Sequence, residues 1–343
     1  MGPSWADHHS GSFAVLQLHD VARRARAPGA PLEGIVRRAN QNLARQPDPV
    51  PTLHVEGTLP GQALHDRSRE AARDFPRMLE FAIAWAGTGD QKYLDAADRF
   101  LAAWAQAYQV SLNPIDEERF DVLLMAADLV RGHVAAATEA GVNRLATRFA
   151  EGYLGAVSTT PRRRSDINNW QSHRFKIAVM SAYAIGELSA VSRLKTAFDE
   201  HLDRHIVGAD GEVVDFAERD AIHYVVYALT PLLLVCLAAR AHGADWLRRP
   251  NRAGASVANA IDWLVPYAEG RKTHQEFVRS TVPFDAERAQ AGLPGFAGTW
   301  DRTRALNLFA LAAALDPRWR PTLESISSVA GRPPADWIRL LFL

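Results

Sequence analysis

Apolar residues recur every three to four positions from about Ser68 to the C-terminus, and strict alternation of apolar and polar residues is scarce. That spacing predicts helices rather than strands. The clearest unit is FPRMLEFAIAWAGTGDQKYLDAADRFLAAWAQAY: one helix ends at Gly87, GTGD turns the chain with Asp90 as N-cap, and a second helix runs to about Tyr108. Further helices are expected over about 117–139, 141–157, 167–190, 191–206, 220–242, 254–269, 299–315 and 335–342. Helical hairpins in series form either a closed α/α toroid or an open solenoid. No fixed-period repeat of the solenoid kind is visible, so the expected fold class is all-α, an incomplete α/α toroid in one domain.

Residues 1–64 are expected to form an N-terminal extended arm, proline-rich over 26–63 (PDPVPTLHVEGTLPG), with residues 65–343 as the toroid. Two stretches with Gly and Pro, 207–214 and 282–298, read as long connections, and long loops in compact domains are more often functional than accidental.

Charge and composition narrow the function. Lys plus Arg equals Asp plus Glu at 39 each, so no global field collects nucleic acid or an anionic membrane, and any polyanion must be met by a local basic cluster. The single cysteine, Cys236, sits in LLLVCLAAR, which excludes an intramolecular disulfide and reads as packing. Ala221–Ala239 is long and apolar enough to span a bilayer, yet it holds His223, Tyr224, Tyr227, Thr230 and Pro231 and has no companion run, so it reads as a helix buried on all sides. The start, MGPSWADHHSGSF, lacks the basic and apolar regions of a secretory signal. The location expected is periplasmic or secreted if a signal has been removed, and otherwise cytoplasmic.

Two segments place proton-handling groups on helices that composition marks as buried. In SDINNWQSHRFKIAVM, Asp166 or Asn168 caps a helix on which Asn169 and His173 lie one turn apart, with Lys176 following on the same side. In ERDAIHYVVYALTPLLL, Arg219, His223 and Tyr227 are spaced by four and four. Pro231 cannot donate to the carbonyl of Tyr227, so a kink or loosening is expected there. These groups suit elimination beside a uronate carboxylate. Removing the C5 proton builds charge on the carboxylate, which Asn169, His173 or Arg219 could neutralise. A tyrosine beside an arginine could take that proton as phenolate and return it to the leaving oxygen.

The motif NNWQSH resembles the asparagine–asparagine–histidine helix motif of alginate lyases, and RDAIHYVVYALTPL resembles their arginine-to-tyrosine segment with its Tyr-Ala-Leu-x-Pro-Leu ending. TGDQKYLDAADRFLAAWA and NPIDEERFDVLLMAADLV are similar to the family's early helices, so the similarity covers roughly 65–240. The resemblance implies an α/α toroid, metal-independent polysaccharide lyase that needs no cofactor. It assigns Tyr227 as base and acid and Asn169 as the carboxylate-neutralising amide. This chain has Trp170 where those lyases have histidine, with His173 one turn on, and Asp220 holds the family arginine's place beside Arg219. These departures suit a relative acting on another polyuronate, such as glucuronan.

The candidate site is therefore Tyr227, His173, Asn169 and Arg219 as catalytic residues, with Trp170, Arg164, His223, Tyr224 and Lys176 binding substrate and no metal. Trp170 would be a sugar-stacking platform, and Arg164 would carry the PRRRSD loop toward a substrate carboxylate. The expected partner is an acidic polysaccharide or oligosaccharide. Each residue also has a plainer role open to it: Asn169 as helix cap, His173 as core histidine, the tyrosines as core aromatics, Arg219 and Asp220 as a local ion pair. Two other functions remain open, a glycoside hydrolase using two of Asp166, Asp215 and Asp220, and a non-catalytic helical scaffold.

Overall fold

The computed structural model describes residues 12–157 and 160–343; the first eleven residues of the expected arm lie outside the described residues. Among the described residues there is no β-strand, only two isolated bridges, Ile206 with Val213 and Gln275 with Thr299. The all-helical expectation holds. The described residues group into two compact units, one made of 12–153, 177–191 and 339–341, the other of 154–157, 160–176, 192–338 and 342–343. Neither unit is continuous in sequence, which is why no linker marks a boundary.

The first unit contains α1 (Leu18–Ala25), α2 (Leu32–Asn42), α3 (Ala63–Ala71), α4 (Asp74–Thr88), α5 (Gln91–Ala107) and α6 (Phe120–Val130), and most of α7 (Ala136–Val157). The α4–α5 hairpin forms as the sequence predicts. Gly89 closes α4 in the left-handed region at φ 74°, and the Asp90 carboxylate caps α5 by accepting the Lys92 amide. Its core is aromatic: Phe75 meets Trp104 at 4.6 Å and Phe120 at 5.0 Å, and Phe120 meets Phe149 at 4.8 Å.

The expected extended arm is corrected by α1 and α2, both of which pack on α4. Each is amphipathic, burying Val21 and Ala22 or Ile35 and Ala39, and packing rather than the neighbouring prolines decides their conformation. The residues between Leu43 and Gln62 do run without regular helix, and Asp116 fixes them by accepting the amides of Val55 and Glu56.

Helix α8 (Asn169–Ala184) begins in the second unit, and α9 (Leu188–His205) lies mostly in it. Then follow α10 (Val214–Arg219), α11 (Ile222–Ala241), α12 (Val257–Ala268), α13 (Pro283–Gln290), α14 (Leu306–Leu315), α15 (Arg320–Ala330) and α16 (Asp336–Leu341). Helix α11 is the apolar segment flagged in the sequence. It is long and apolar enough to cross a membrane, and 78% of its apolar window is buried against other parts of the chain. It packs against α10, α12 and α14, and Cys236 is buried within it. Pro231 lies inside a helix that continues past it, and the Thr230 hydroxyl donates to the Val226 carbonyl at 2.8 Å. Helix α13 interrupts the connection expected over 282–298; Pro283 at its first turn fixes a helical φ where the missing amide costs nothing.

Candidate active site

The short helix α10 carries Asp215, Glu218 and Arg219 at i, i+3 and i+4, so the three share one face. Asp220 then turns the chain in the left-handed region at φ 48°, and α11 starts two residues later. The loop after α12 pins this corner. Phe277 donates its amide to the Asp220 carbonyl at 2.9 Å, and the Asp220 carboxylate accepts from the Arg279 amide and guanidinium at 3.0–3.2 Å. Glu276 caps α11 by accepting the amides of Ile222 at 2.8 Å and His223 at 3.0 Å. Burial nevertheless pushes Glu276 up to about 7.

At the start of α8, the Asn168 side chain accepts the Trp170 amide at 3.2 Å, a capping bond, and donates to Glu218 at 3.2 Å. Asn169 is 1% exposed, and both its backbone amide and its Nδ2 donate to Asp215 Oδ1, at 3.2 and 2.5 Å. One turn on, the His173 ring lies 4.6 Å from the Tyr227 ring, centroid to centroid. Tyr227 in turn meets Tyr224 edge-on at 5.9 Å, and the Arg219 guanidinium sits 3.8 Å over the face of Tyr224. Asp215 thus holds Asn169, and one turn along α8 contacts run from His173 through Tyr227 and Tyr224 to Arg219, on the helix that carries Asp215. Asn169, His173, Arg219 and Tyr227 are brought together from α8, α10 and α11.

The electrostatics divide these groups. His173 is buried, neither ring nitrogen hydrogen-bonds to another of the described residues, and burial followed by the Lys176 charge holds its pKa well below the usual value. His223 is lowered to about 4 by burial and by Arg304, Arg288 and Arg219. Both imidazoles are neutral at pH 7. Arg219 supplies positive charge, pairing with Asp285 at 2.5 Å; Asp285 also accepts from the Ser280 hydroxyl at 2.7 Å. Tyr224 accepts from Arg288 at 2.7 Å, and burial raises its pKa although both arginines oppose the shift.

The remaining candidates fall less centrally. Lys176 is buried near His173, and half-buried Trp170 has the Arg174 guanidinium 5.9 Å from its ring centre. Arg164 is largely exposed, with Glu218 3.7 Å away. His223 contacts Phe296 at 5.1 Å and Arg304 at 3.5 Å. Between the two residues contending for one family position, Arg219 lies on Tyr224 while Asp220 is turned to Arg279. The three carboxylates of the hydrolase reading are engaged internally: Asp166 accepts the amides of Arg162 and Arg163, Asp220 holds Arg279, and Asp215 is fully buried on Asn169. Among the described residues no group of three His, Cys, Asp or Glu side chains is arranged to hold a metal ion.

Sequence reasoning missed Glu276, Asp285, Arg288 and the stacked pair Phe277 and Phe296, whose centroids are 5.0 Å apart and which pack around Tyr224. The length of the 282–298 connection is the available signal for Asp285, Arg288 and Phe296, but nothing local in those residues points to α11, and Glu276 and Phe277 lie outside it.

The family model for alginate lyase matches residues 19–274. None of the curated protein sequences searched matches. Among solved structures, an alginate lyase from Bacteroides ovatus is similar at a TM-score of 0.70 and 17% identity, covering 97% of this chain and 99% of that one. Alginate lyase A1-III from Sphingomonas species A1 is similar at 0.55 and 16% identity, covering 84% and 92%. A histidine-to-alanine variant of alginate lyase A1-III complexed with tetrasaccharide is similar at 0.59 and 16% identity, covering 76% and 79%. The structural likeness extends over nearly the whole chain and the family match over most of it, so this chain belongs to the alginate lyase family and is a polysaccharide lyase.

Proposed function

We propose that the chain cleaves a mannuronate- or glucuronate-containing polyuronate by β-elimination, with Tyr227 as both base and acid. The Tyr227 phenolate takes the C5 proton, the C–H electrons form the C4–C5 double bond, and the C4–O bond breaks. The same phenol then protonates the leaving oxygen, which regenerates the phenolate and leaves an unsaturated uronate at the new chain end. Asn169 and His173 donate hydrogen bonds to the carboxylate as its charge grows, and Arg219 supplies the fixed positive field.

The observation that carries this reading is the contact between His173 and Tyr227, 4.6 Å between ring centres, with His173 buried and its nitrogens unused by the described residues. A buried imidazole without a protein partner is costly unless a ligand uses it. Tyr224 suits the proton-transfer role less well because it is 6% exposed and its hydroxyl is already bonded to Arg288. With one tyrosine serving both steps, the C5 proton and leaving oxygen must lie on the same side of the sugar ring, which mannuronate and glucuronate satisfy and guluronate does not. Far-ultraviolet absorbance with alginate, polymannuronate, polyguluronate, glucuronan, hyaluronan and pectate tests the reading: polyguluronate and pectate, whose galacturonate also puts the two groups on opposite faces, should be poorer substrates than polymannuronate or glucuronan, and cleavage without new absorbance would overturn elimination.

A further inference from the structure

We propose that Asp215 is a positioning residue that fixes the Asn169 side-chain amide and, through it, the grip on the substrate carboxylate, an inference that rests on the lyase reading above. A single oxygen of Asp215, Oδ1, accepts both donors of Asn169, the backbone amide at 3.2 Å and Nδ2 at 2.5 Å. The other oxygen makes no hydrogen bond among the described residues. His205 Nδ1 lies 3.8 Å from it, and that nitrogen already bonds the Ile167 carbonyl at 3.0 Å. The hydrogen bonding of a fully buried carboxyl is therefore spent on one residue.

Helix capping accounts for the bond to the Asn169 backbone amide, as Asn168 serves only the Trp170 amide, but not for the shorter bond to Nδ2. An asparagine amide can turn over, exchanging its oxygen for its nitrogen, unless a partner distinguishes the two. Asp215 Oδ1 accepts whether the carboxyl is ionised or carries its proton on Oδ2, so Nδ2 is held toward it and its second N–H keeps a set direction. Glu218, one turn on, holds Asn168 Nδ2 in the same manner at 3.2 Å. Helix α10 thus fixes the amides of both asparagines while presenting Arg219. The charged and titratable groups facing Asp215 are His205 from α9, Glu218 and Arg219 from its own helix, and Tyr224 from α11.

The test is a double-mutant cycle of Asp215→Ala and Asn169→Ala, assayed by steady-state kinetics on a polyuronate the native protein cleaves, with folding checked by circular dichroism and melting. Acting through Asn169, Asp215→Ala should lower kcat by about tenfold or more with little change in KM, but by less than about twofold when Asn169 is already alanine. Asp215→Asn, which keeps an acceptor oxygen, should recover most of the loss. If Asp215→Ala does not fold, Asp215→Leu, which also removes the buried carboxyl, takes its place in the cycle. Equal losses in both backgrounds, with an active native enzyme, would overturn the positioning role and leave the lyase reading standing. If the native protein cleaves no polyuronate, the lyase reading fails. Crystal structures of the native and Asp215-substituted proteins then decide, and an unmoved Asn169 amide would overturn the inference.

Discussion

The imidazole of His173 lies against the phenol ring of Tyr227, centroids 4.6 Å apart and planes inclined at 44°. The two residues come from α8 and α11, and the contact joins the two sequence motifs, which the Asn168 to Glu218 hydrogen bond also links. Burial and the Lys176 charge keep His173 neutral, so in the proposed mechanism it works by hydrogen bonding, with positive charge from Lys176 on its own side and from Arg219 over Tyr224.

Tyr227→Phe should abolish turnover while leaving the fold nearly intact. Only a hydroxyl is lost, a stability cost of about 1 kcal/mol, whereas general acid–base contributions of about 100- to 10,000-fold disappear. Tyr224→Phe should be milder, since that hydroxyl serves Arg288. Initial rates and melting curves of the two variants check this; activity kept in Tyr227→Phe and lost in Tyr224→Phe would reverse the assignment.

Arg219→Ala should cost stability as well as activity. It leaves Asp285, 1% exposed, without its closest cation, and stripping one partner from a buried pair costs about 3 kcal/mol. Arg288, 3.5 Å from the same carboxylate, softens the loss. Urea denaturation should show a lowered midpoint, partly restored by adding Asp285→Ala; an unchanged midpoint in Arg219→Ala would contradict the pairing.

Asp215→Asn should stabilise the protein at alkaline pH. Burial raises the Asp215 pKa from 3.8 to about 7, so between these values the folded state holds a proton that the unfolded state has released. Native stability from this group therefore falls as pH rises from about 4 to 7 and then levels off. The advantage of the amide should open over that window and reach on the order of 2 kcal/mol at pH 8. Denaturation of both proteins at pH 5 and pH 8 checks it, and a gap that is largest at pH 5 would contradict the sign.

His173 should not titrate near its ordinary value of 6.5. Its folded pKa is depressed, so as pH falls below 6.5 the unfolded state takes a proton that the folded state refuses, and stability from this group is lost. An imidazole NMR titration should find His173 neutral at pH 6; a midpoint near 6.5 would contradict its burial.

Much of this arrangement is legible in the chain. The α4–α5 hairpin follows from its Gly and Asp punctuation, and the spacing of Asn169 to His173 and of His223 to Tyr227 puts each pair one turn apart on its own helix. Periodicity does not reveal which helices meet, so the Asp215 to Asn169 bond and the Arg219 to Asp285 pair, 46 and 66 residues apart, could not be read. Helix α15 was missed although Pro321 opens it and Gly331 closes it, because its apolar residues are few. Asp220 illustrates the opposite case. Its position in the motif suggested a site residue, but a left-handed backbone and Arg279 turn its carboxylate to a structural use.

The most direct test of elimination by Tyr227 is far-ultraviolet absorbance during incubation with polymannuronate and glucuronan, run in parallel for the native protein and Tyr227→Phe. Rising absorbance with the native protein on at least one polymer, and none with the variant while it melts like the native protein, is the predicted result. Equal absorbance with a folded Tyr227→Phe protein, or shortened polymer without any unsaturated product, would contradict the account.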